Sequence, residues 1–252
     1  MSDVVPLEGL LESEVGALLS YPKYNDEIAT ARLGELQSLG VEGIELRGHS
    51  LIGRIPVLGK GHVGVVVSAL YGGDSVALKI RRVDADRDSM DDEAEYIRVA
   101  NSVSVGPMLL GVSRNFLLME LVEGEFLVDW LGGPGASESL VRGMLRGVLE
   151  RARRLDVVGL DHGELSRAPR HILVACGMPR IVDFESASIR RRCKNVTSVT
   201  QFLFLNRLVR GRVDRFIGLP EGDEILGALR AYRRGASEDS FQDLLTVCGI
   251  VQ

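Results

Sequence analysis

Cysteine is scarce in this chain of 252 residues. The three cysteines, Cys176, Cys193 and Cys248, are widely spaced and all lie in the C-terminal half. None of them belongs to a C-x-x-C pair. Scattered, unpaired cysteines are typical of proteins kept in a reducing compartment. We therefore expect a cytoplasmic protein.

Long apolar runs and a strong charge of one sign are also missing. No apolar run approaches the ~20 residues of a membrane-spanning helix, and the start, MSDVVPLEGLLESE, lacks the basic-then-apolar pattern of a signal peptide. The net charge of −5 argues against a protein that coats nucleic acid non-specifically. The composition indicates a soluble globular protein of one large or two small domains, without a membrane partner.

The first 51 residues predict a helix, a second helix and a strand. The leucine and valine side chains of LEGLLESEVGALL fall on one helical stripe. Asn25 can cap a second helix, DEIATARLGELQSL, which Gly40 ends, and VEGIEL alternates as a strand. Residues 1–51 are therefore either a small winged-helix-like module or an extension that packs against the following domain.

Residues 52–122 change to the two-residue alternation of β-strands. GVVVSALYGGDSVALKIRR predicts a hairpin that turns at Gly72-Gly73-Asp74. DADRDSMDDEAEYIRVANS predicts a helix, and MLLGVS and FLLMELVE predict two further strands. The region thus holds five strands with one helix inserted after the third. Residues 123–252 are mainly helical, with two short strands in ILVA and RIVDF.

The segment VLGKGHVGVVVSAL follows the pattern G-x-G-x-x-G-x-V, with Gly59, Gly61, Gly64 and Val66 in the fixed positions and His62 at the tip. A dinucleotide-binding loop needs such glycines between a strand and a helix. Here β-branched residues follow directly, so the glycines lie between two strands. The chain also lacks a G-x-x-x-x-G-K-[ST] phosphate loop. What remains is a loop that covers ATP phosphates, as in protein kinases, or a hairpin without a ligand.

Lys79, in VALKI, adds a cation to the glycine pattern, at the position where an ammonium reaches the α- and β-phosphates. Strand alternation puts Ala77 and Lys79 on one face and three apolar residues on the core-facing one. The small Ala77 leaves room for a flat base. A sheltered lysine needs an anionic partner, and Glu93 of the inserted helix is the predicted one, with Glu95 as the second choice.

Two downstream segments extend the pattern. RIVDFE matches the D-F-G element, with Asp183 offered to a metal and Phe184 packed beneath it, and DHGELSRAPRHILV is similar to a catalytic loop. From about residue 52 to 190, these elements resemble the small archaeal-type predicted Ser/Thr protein kinases. That group is related to the RIO kinases and to the kinase of the KEOPS tRNA-modification complex.

The resemblance implies an α+β, two-lobed protein-kinase-like fold, with a five-stranded N-lobe sheet and one inserted helix in residues 52–122. A compact, mainly helical C-lobe would occupy residues 123–252. It also implies ATP as phosphoryl donor, Mg²⁺ or Mn²⁺ as metal, and serine or threonine hydroxyls of a protein, its own chain included, as acceptors. In FLLMELVEG, Met119 would be the gatekeeper, and backbone groups of Glu120 and Val122 would hydrogen-bond the adenine.

Three positions depart from the family pattern. Glu164 replaces the catalytic aspartate and is expected to position and deprotonate the acceptor hydroxyl. His171 falls nearest to the asparagine that binds a second metal. Since Mg²⁺ prefers oxygen ligands, His171 is expected to contact a phosphate or to leave only one metal bound. Glu185 replaces a glycine and adds a carboxylate beside Asp183, which is expected either to help to bind a cation or to stiffen the segment.

Two other functions stay open from the sequence. The departures at 164 and 171 favour an ATP-binding scaffold, with little or no transfer, in an RNA- or ribosome-associated complex. H-G-E/D loops also occur in kinases of sugars and antibiotics, although those carry a larger lower lobe. The basic cluster Arg190, Arg191, Arg192 and Lys194 suits an acidic protein substrate or RNA phosphates, or forms a solvated loop.

Overall fold

A computed structural model of the chain describes residues 4–251. These residues form two compact units. The first contains the chain up to Arg98 together with Pro107–Leu121, and the second contains Val99–Gly106 together with the chain from Val122 on. Their helices and several sheets are compatible with the predicted α+β class. None of the helices in the described part combines the length and apolar character that a bilayer-spanning segment requires.

The first unit is built on one antiparallel sheet of seven strands, in the order β1-β2-β6-β7-β9-β8 with β5 paired to β6. A separate hairpin joins β3 to β4. The elements, in chain order, are β1 (Val4–Pro6), α1 (Asp26–Ser38), β2 (Val41–Glu45), β3 (Ser50–Ile52), β4 (Ile55–Val57), β5 (Gly59–Lys60), β6 (Gly64–Tyr71), β7 (Asp74–Arg81), α2 (Asp91–Ser102), β8 (Leu109–Val112) and β9 (Phe116–Glu120).

The N-terminal segment is part of this sheet. β2 pairs antiparallel with β6, with Ile44 opposite Ala69, and β1 pairs with β2. The segment is therefore joined to the following residues through a shared sheet. The second predicted helix is confirmed as α1, since the Asn25 side chain accepts a hydrogen bond from the Ile28 N–H at 2.9 Å.

The single helix predicted over LEGLLESEVGALL is wrong. Two 3-10 helices, Leu7–Gly9 and Glu14–Ser20, replace it. Ser13 starts the second one because its hydroxyl accepts a hydrogen bond from the Val15 N–H, and a Cβ at Gly16 would lie 2.6 Å from the Leu10 carbonyl oxygen. The tight chain reversal still buries the apolar residues that suggested a helix, namely Leu7, Leu10, Val15, Leu18 and Leu19.

The second unit surrounds a long helix and a small antiparallel sheet of three strands, in the order β10-β11-β12. The helix, α4, packs against β12 and α5. The elements are β10 (Glu125–Phe126), α3 (Leu127–Trp130), α4 (Glu138–Val158), β11 (Ile172–Ala175), β12 (Met178–Ile181), α5 (Asn195–Thr200), α6 (Arg207–Val213), α7 (Gly222–Gly235) and α8 (Glu238–Val247).

Phe184 anchors the chain directly after β12. Its side chain is fully buried and lies against Gly106, where a Cβ would come within 2.9 Å of the phenyl ring. Gly106 also has a φ of 83°, in the left-handed region that favours glycine. Both the ring contact and the backbone conformation therefore select glycine at position 106.

We expect Gly106→Ala to lower the free energy of unfolding of the second unit by about 2–4 kcal/mol, because it adds backbone strain and overpacks the Phe184 ring. Gly143→Ala, at an exposed position of α4 with open space around it, is the matched control. That substitution should instead stabilise the helix by roughly 0.5–1 kcal/mol. Urea unfolding followed by fluorescence of the single tryptophan, Trp130, measures both. Equal effects of the two substitutions would contradict the role given to Gly106.

Candidate functional site

The glycine-rich segment forms a turn between two paired strands, as the sequence predicted. β5 pairs with β6, with Gly59 opposite Val66. The Gly61 N–H donates to the Gly64 carbonyl at 2.8 Å and closes the turn. His62 lies exposed at its tip. The strand that follows excludes the strand-to-helix geometry of a dinucleotide-binding loop.

Gly64 allows the stem of Lys79 to lie directly beside the turn. A Cβ at position 64 would come within 3.0 Å of Lys79 Cγ and 2.9 Å of the Ile80 carbonyl oxygen. Lys79 is opposite Val66 on one side and Leu117 on the other. Lys79 therefore lies between β6 and β9 in the sheet, and its ammonium group extends to α2.

The ammonium of Lys79 forms a buried ion pair with Glu93. Lys79 Nζ lies 2.7 Å from Glu93 Oε1, and the two side chains are only 4% and 1% exposed. Arg87 Nη1 lies 3.5 Å from the other carboxylate oxygen. Glu95, the second choice, instead pairs with Arg98 on the exposed side of α2. The structure therefore brings together the two residues that the sequence pattern paired.

The predicted adenine-contacting residues lie at the end of β9. Met119 is buried and opposite Ala77 of β7. The Glu120 N–H donates to the Met108 carbonyl at 2.8 Å, and its carboxylate accepts from the Met108 N–H at 3.0 Å. Val122 follows as the first residue of the second unit after β9. Glu120 thus fixes the start of β8 within the first unit.

In the second unit, Glu164, His171 and Asp183 come together. His171 Nε2 lies 3.0 Å from Glu164 Oε2 and 3.7 Å from Asp183 Oδ2. Glu164 precedes a short 3-10 helix, His171 precedes β11, and Asp183 follows β12. Asp183 has a φ of 68°, a conformation that costs a non-glycine residue about 1–3 kcal/mol and often marks a functional site. These three predicted residues therefore form one group.

His171, in this group, and the neighbouring His162 have pKa values shifted in opposite directions. Burial tends to lower the pKa of His171, but the nearby carboxylates of Asp183, Glu164 and Glu185 outweigh it and raise that pKa above 6.5. Complete burial, with the charge of His171, lowers the pKa of His162 to about 4. His171 therefore holds a proton more readily than an ordinary histidine, and His162 is a neutral packing residue at neutral pH.

Three supporting residues were not predicted. Ser186 donates to Glu164 Oε1 at 2.7 Å, so both oxygens of this carboxylate are held. Asn195 accepts from the His162 N–H at 2.8 Å and donates to the Leu160 carbonyl at 2.7 Å. Asp156 in turn accepts from the Asn195 amide at 2.8 Å. No spacing in the sequence connects these residues, because they come from separate helices and loops.

The donor atoms around Asp183 limit how a metal could bind. Within residues 4–251 no three histidine, cysteine, aspartate or glutamate side chains are grouped as around a bound metal ion. Mg²⁺ is commonly held by one or two carboxylates together with substrate phosphates. Asp183, with a side chain 37% exposed, fits that mode better than an all-protein cage.

Two comparisons with known proteins were made, against family models and against curated proteins. No protein-family model matches the chain, and no curated protein matches it either. The function must therefore be inferred from the residues described above.

The ion pair yields a stability prediction. Lys79→Met leaves Glu93 buried beside the more distant Arg87, and we expect a loss of about 3 kcal/mol in the free energy of unfolding. The double variant Lys79→Met/Glu93→Leu removes both charges and should recover most of that loss, because the desolvation cost disappears with the pair. Urea unfolding followed by circular dichroism tests both. A double variant no more stable than Lys79→Met would contradict this account, because Glu93 would then carry no penalty after the loss of Lys79.

The histidines predict a stability that depends on pH in two windows. His162 has a lowered pKa in the folded state, so stability should fall as pH drops from about 6.5 towards 4. His171 has a raised pKa, so its contribution is complete below about pH 6.5 and is lost as pH rises through the folded value. The free energy of unfolding of the wild type should fall as the pH rises through the upper window, and that of His171→Gln should not. NMR titration of the two imidazoles checks the directions.

Proposed function

We propose that this chain is an atypical serine/threonine protein kinase that transfers the γ-phosphoryl group of ATP. The observation that carries the proposal is the buried Lys79–Glu93 pair beside the glycine turn. A buried ion pair is a poor way to stabilise a fold, since apolar residues of similar size often do as well or better. A lysine held rigidly next to a glycine turn is suited to the charge of a nucleotide phosphate.

In the proposed reaction, Lys79 holds the α- and β-phosphates and Glu93 fixes the ammonium. The oxygen of a serine or threonine attacks the γ-phosphorus, the bond from that phosphorus to the β–γ bridging oxygen breaks, and ADP leaves. Glu164 takes the hydroxyl proton; its carboxylate is oriented by His171 and Ser186. Met119, Glu120 and Val122 are assigned to the adenine, with Gly59, Gly61, His62, Gly64, Val66 and Ala77 around the rest of the nucleotide.

Asp183, aided by Glu185, is the proposed metal-binding residue. Bound Mg²⁺, or Mn²⁺, would neutralise charge on the phosphates during transfer. The protein ligands alone do not form a cage, so the metal is expected to enter with ATP. This accounts for an exposed carboxylate at position 183 without requiring a second protein-bound ion.

A second candidate function is an ATP-binding scaffold without transfer. The observation that favours it is His171, whose pKa is raised and whose Nε2 lies 3.7 Å from Oδ2 of Asp183. A cation there opposes metal binding at the same carboxylate. Such a scaffold would be stabilised by ATP against heat and yet yield no phosphorylated product.

The acceptor and partners are proposed from charge alone. Within the basic cluster, Arg191 Nε already pairs with Asp161 Oδ2 at 3.0 Å, and Arg192 donates to the Arg233 carbonyl at 2.8 Å. Arg190 and Lys194 are exposed at either end. We propose a protein substrate with acidic residues near the acceptor hydroxyl, and an RNA- or ribosome-associated complex as the setting.

Transfer of label from γ-labelled ATP, under Mg²⁺ and then Mn²⁺, tests the function. Lys79→Ala and Asp183→Ala should each abolish product, and Glu164→Gln should slow transfer by about 10²-fold or more with little change in ATP affinity. Lys23→Ala and Asp223→Ala, at exposed positions outside the candidate site, are the controls. Thermal stabilisation by ATP without labelled product would favour the scaffold. Full turnover by Glu164→Gln would contradict its assigned role.

A further inference from the structure

Helix α1 of the N-terminal extension binds the turn between β8 and β9. Glu35 Oε2 accepts from the Ser113 hydroxyl at 2.6 Å and from the Asn115 N–H at 3.1 Å. Arg32 Nη2 donates to Asn115 Oδ1 at 2.9 Å. One helix therefore fixes both the backbone and the side chains of this turn.

The same turn holds the two elements that carry the ion pair. The Arg81 N–H, at the end of β7, donates to the Asn115 carbonyl at 2.8 Å, and the Met90 N–H donates to the Arg114 carbonyl at 3.0 Å. Met90 directly precedes α2, whose first turn contains Glu93. The ends of β7 and α2 are thus attached to one turn, and that turn is attached to α1.

A series of polar contacts, to side chains and to backbone carbonyls, continues from α1 to Glu93. Arg81 lies two residues beyond Lys79 on β7, and its carbonyl accepts from Arg32 Nη1 at 2.6 Å. Arg81 Nε donates to Asn115 Oδ1 at 3.0 Å, and its Nη1 donates to the Arg87 carbonyl at 2.9 Å. The Arg87 guanidinium lies 3.5 Å from Glu93. Every link lies within the first unit.

Arg32 is a costly residue if its only task is to attach a helix. Its side chain is buried, with 3% of the residue exposed, and burial together with Arg81 lowers the pKa of the guanidinium to about 10. It also donates to the Leu19 carbonyl at 2.6 Å. An apolar side chain would attach a helix without this desolvation cost, whereas fixed donors can hold several acceptors in one geometry.

We propose that α1 positions the Lys79–Glu93 pair through Arg32, Asn115, Arg81 and Arg87, which act as positioning residues for the phosphate-binding lysine. The inference depends on the proposed function only for the ligand of Lys79. The coupling between α1 and Lys79 is a property of the first unit. It makes the N-terminal extension part of the machinery that prepares the nucleotide site.

The mobility of the Lys79 ammonium group tests this coupling directly. The chain has four lysines, Lys23, Lys60, Lys79 and Lys194, so spectra of isotopically labelled lysine are simple, and Lys79→Arg assigns the signal. Arg32→Met should speed exchange of the Lys79 ammonium protons with water by about 2- to 30-fold, the range found for substitutions along contiguous networks. The Kd for ATP should rise by a similar factor. Arg32→Lys, which keeps the charge but loses the fork of donors, is the second variant if Arg32→Met does not fold.

Leu36→Ala is the matched control, because Leu36 is a fully buried residue of the same helix. It should destabilise the first unit and leave Lys79 exchange within twofold of wild type, since it lies outside the polar chain. In a double-variant cycle, Arg32→Met and Arg81→Met should be non-additive, and Leu36→Ala and Arg81→Met additive.

Equal changes in Arg32→Met and Leu36→Ala, or unchanged Lys79 exchange in Arg32→Met, would overturn the coupling. The two proposals can fail separately. If the wild type does not bind ATP but Arg32→Met still alters Lys79 exchange, the coupling stands and the kinase assignment fails. If ATP binds and its γ-phosphoryl group is transferred but Lys79 is insensitive to position 32, the coupling fails and the kinase assignment stands.

Discussion

The buried contact between the Lys79 ammonium and the Glu93 carboxylate is the constraint on which the first unit depends. Two charges with almost no solvent exposure are tolerable only if the geometry that joins them is fixed. That geometry requires glycine at position 64 beside the lysine stem. It also requires β7 and α2 to end and begin at defined places, which the β8–β9 turn provides. The turn is itself held by Glu35 and Arg32 of α1. The geometry of the ion pair therefore depends on the N-terminal extension as well.

The sequence predicted the parts of this arrangement that depend on local periodicity. Gly72 and Gly73 both have positive φ, and Tyr71 lies opposite Asp74, as expected for a two-residue hairpin turn. Glu93 could be assigned to Lys79 because helical spacing puts it at the edge of the buried face of α2. The periodicities that indicate strands and helices also predict which side each residue faces. The pairing of Lys79 with Glu93 could therefore be predicted from the sequence.

The parts that were missed depend on contacts between distant segments. The stripe of leucines at the start of the chain is buried, but a serine cap and a close approach at Gly16 turn it into two 3-10 helices. The joining of β2 to β6 depends on long-range pairing, which no local pattern encodes. Ser186 reaches Glu164 across 22 residues of sequence, and Asn195 reaches His162 across 33. Such contacts are set by tertiary packing, so spacing alone could not reveal them.

His171 decides what chemistry the second group of residues can perform. A neutral amide at this place could offer an oxygen to a metal, whereas an imidazolium offers only donors and positive charge. Its contact with Glu164 at 3.0 Å orients the proposed base. In phosphoryl transfer through a loose transition state, the position of the base matters more than its affinity for a proton. When protonated, His171 beside Asp183 disfavours a second metal and can itself attract a phosphate oxygen. The departure at position 171 is therefore compatible with the proposed transfer through one metal ion. In that reaction His171 would neutralise part of the phosphate charge that a second ion would otherwise neutralise.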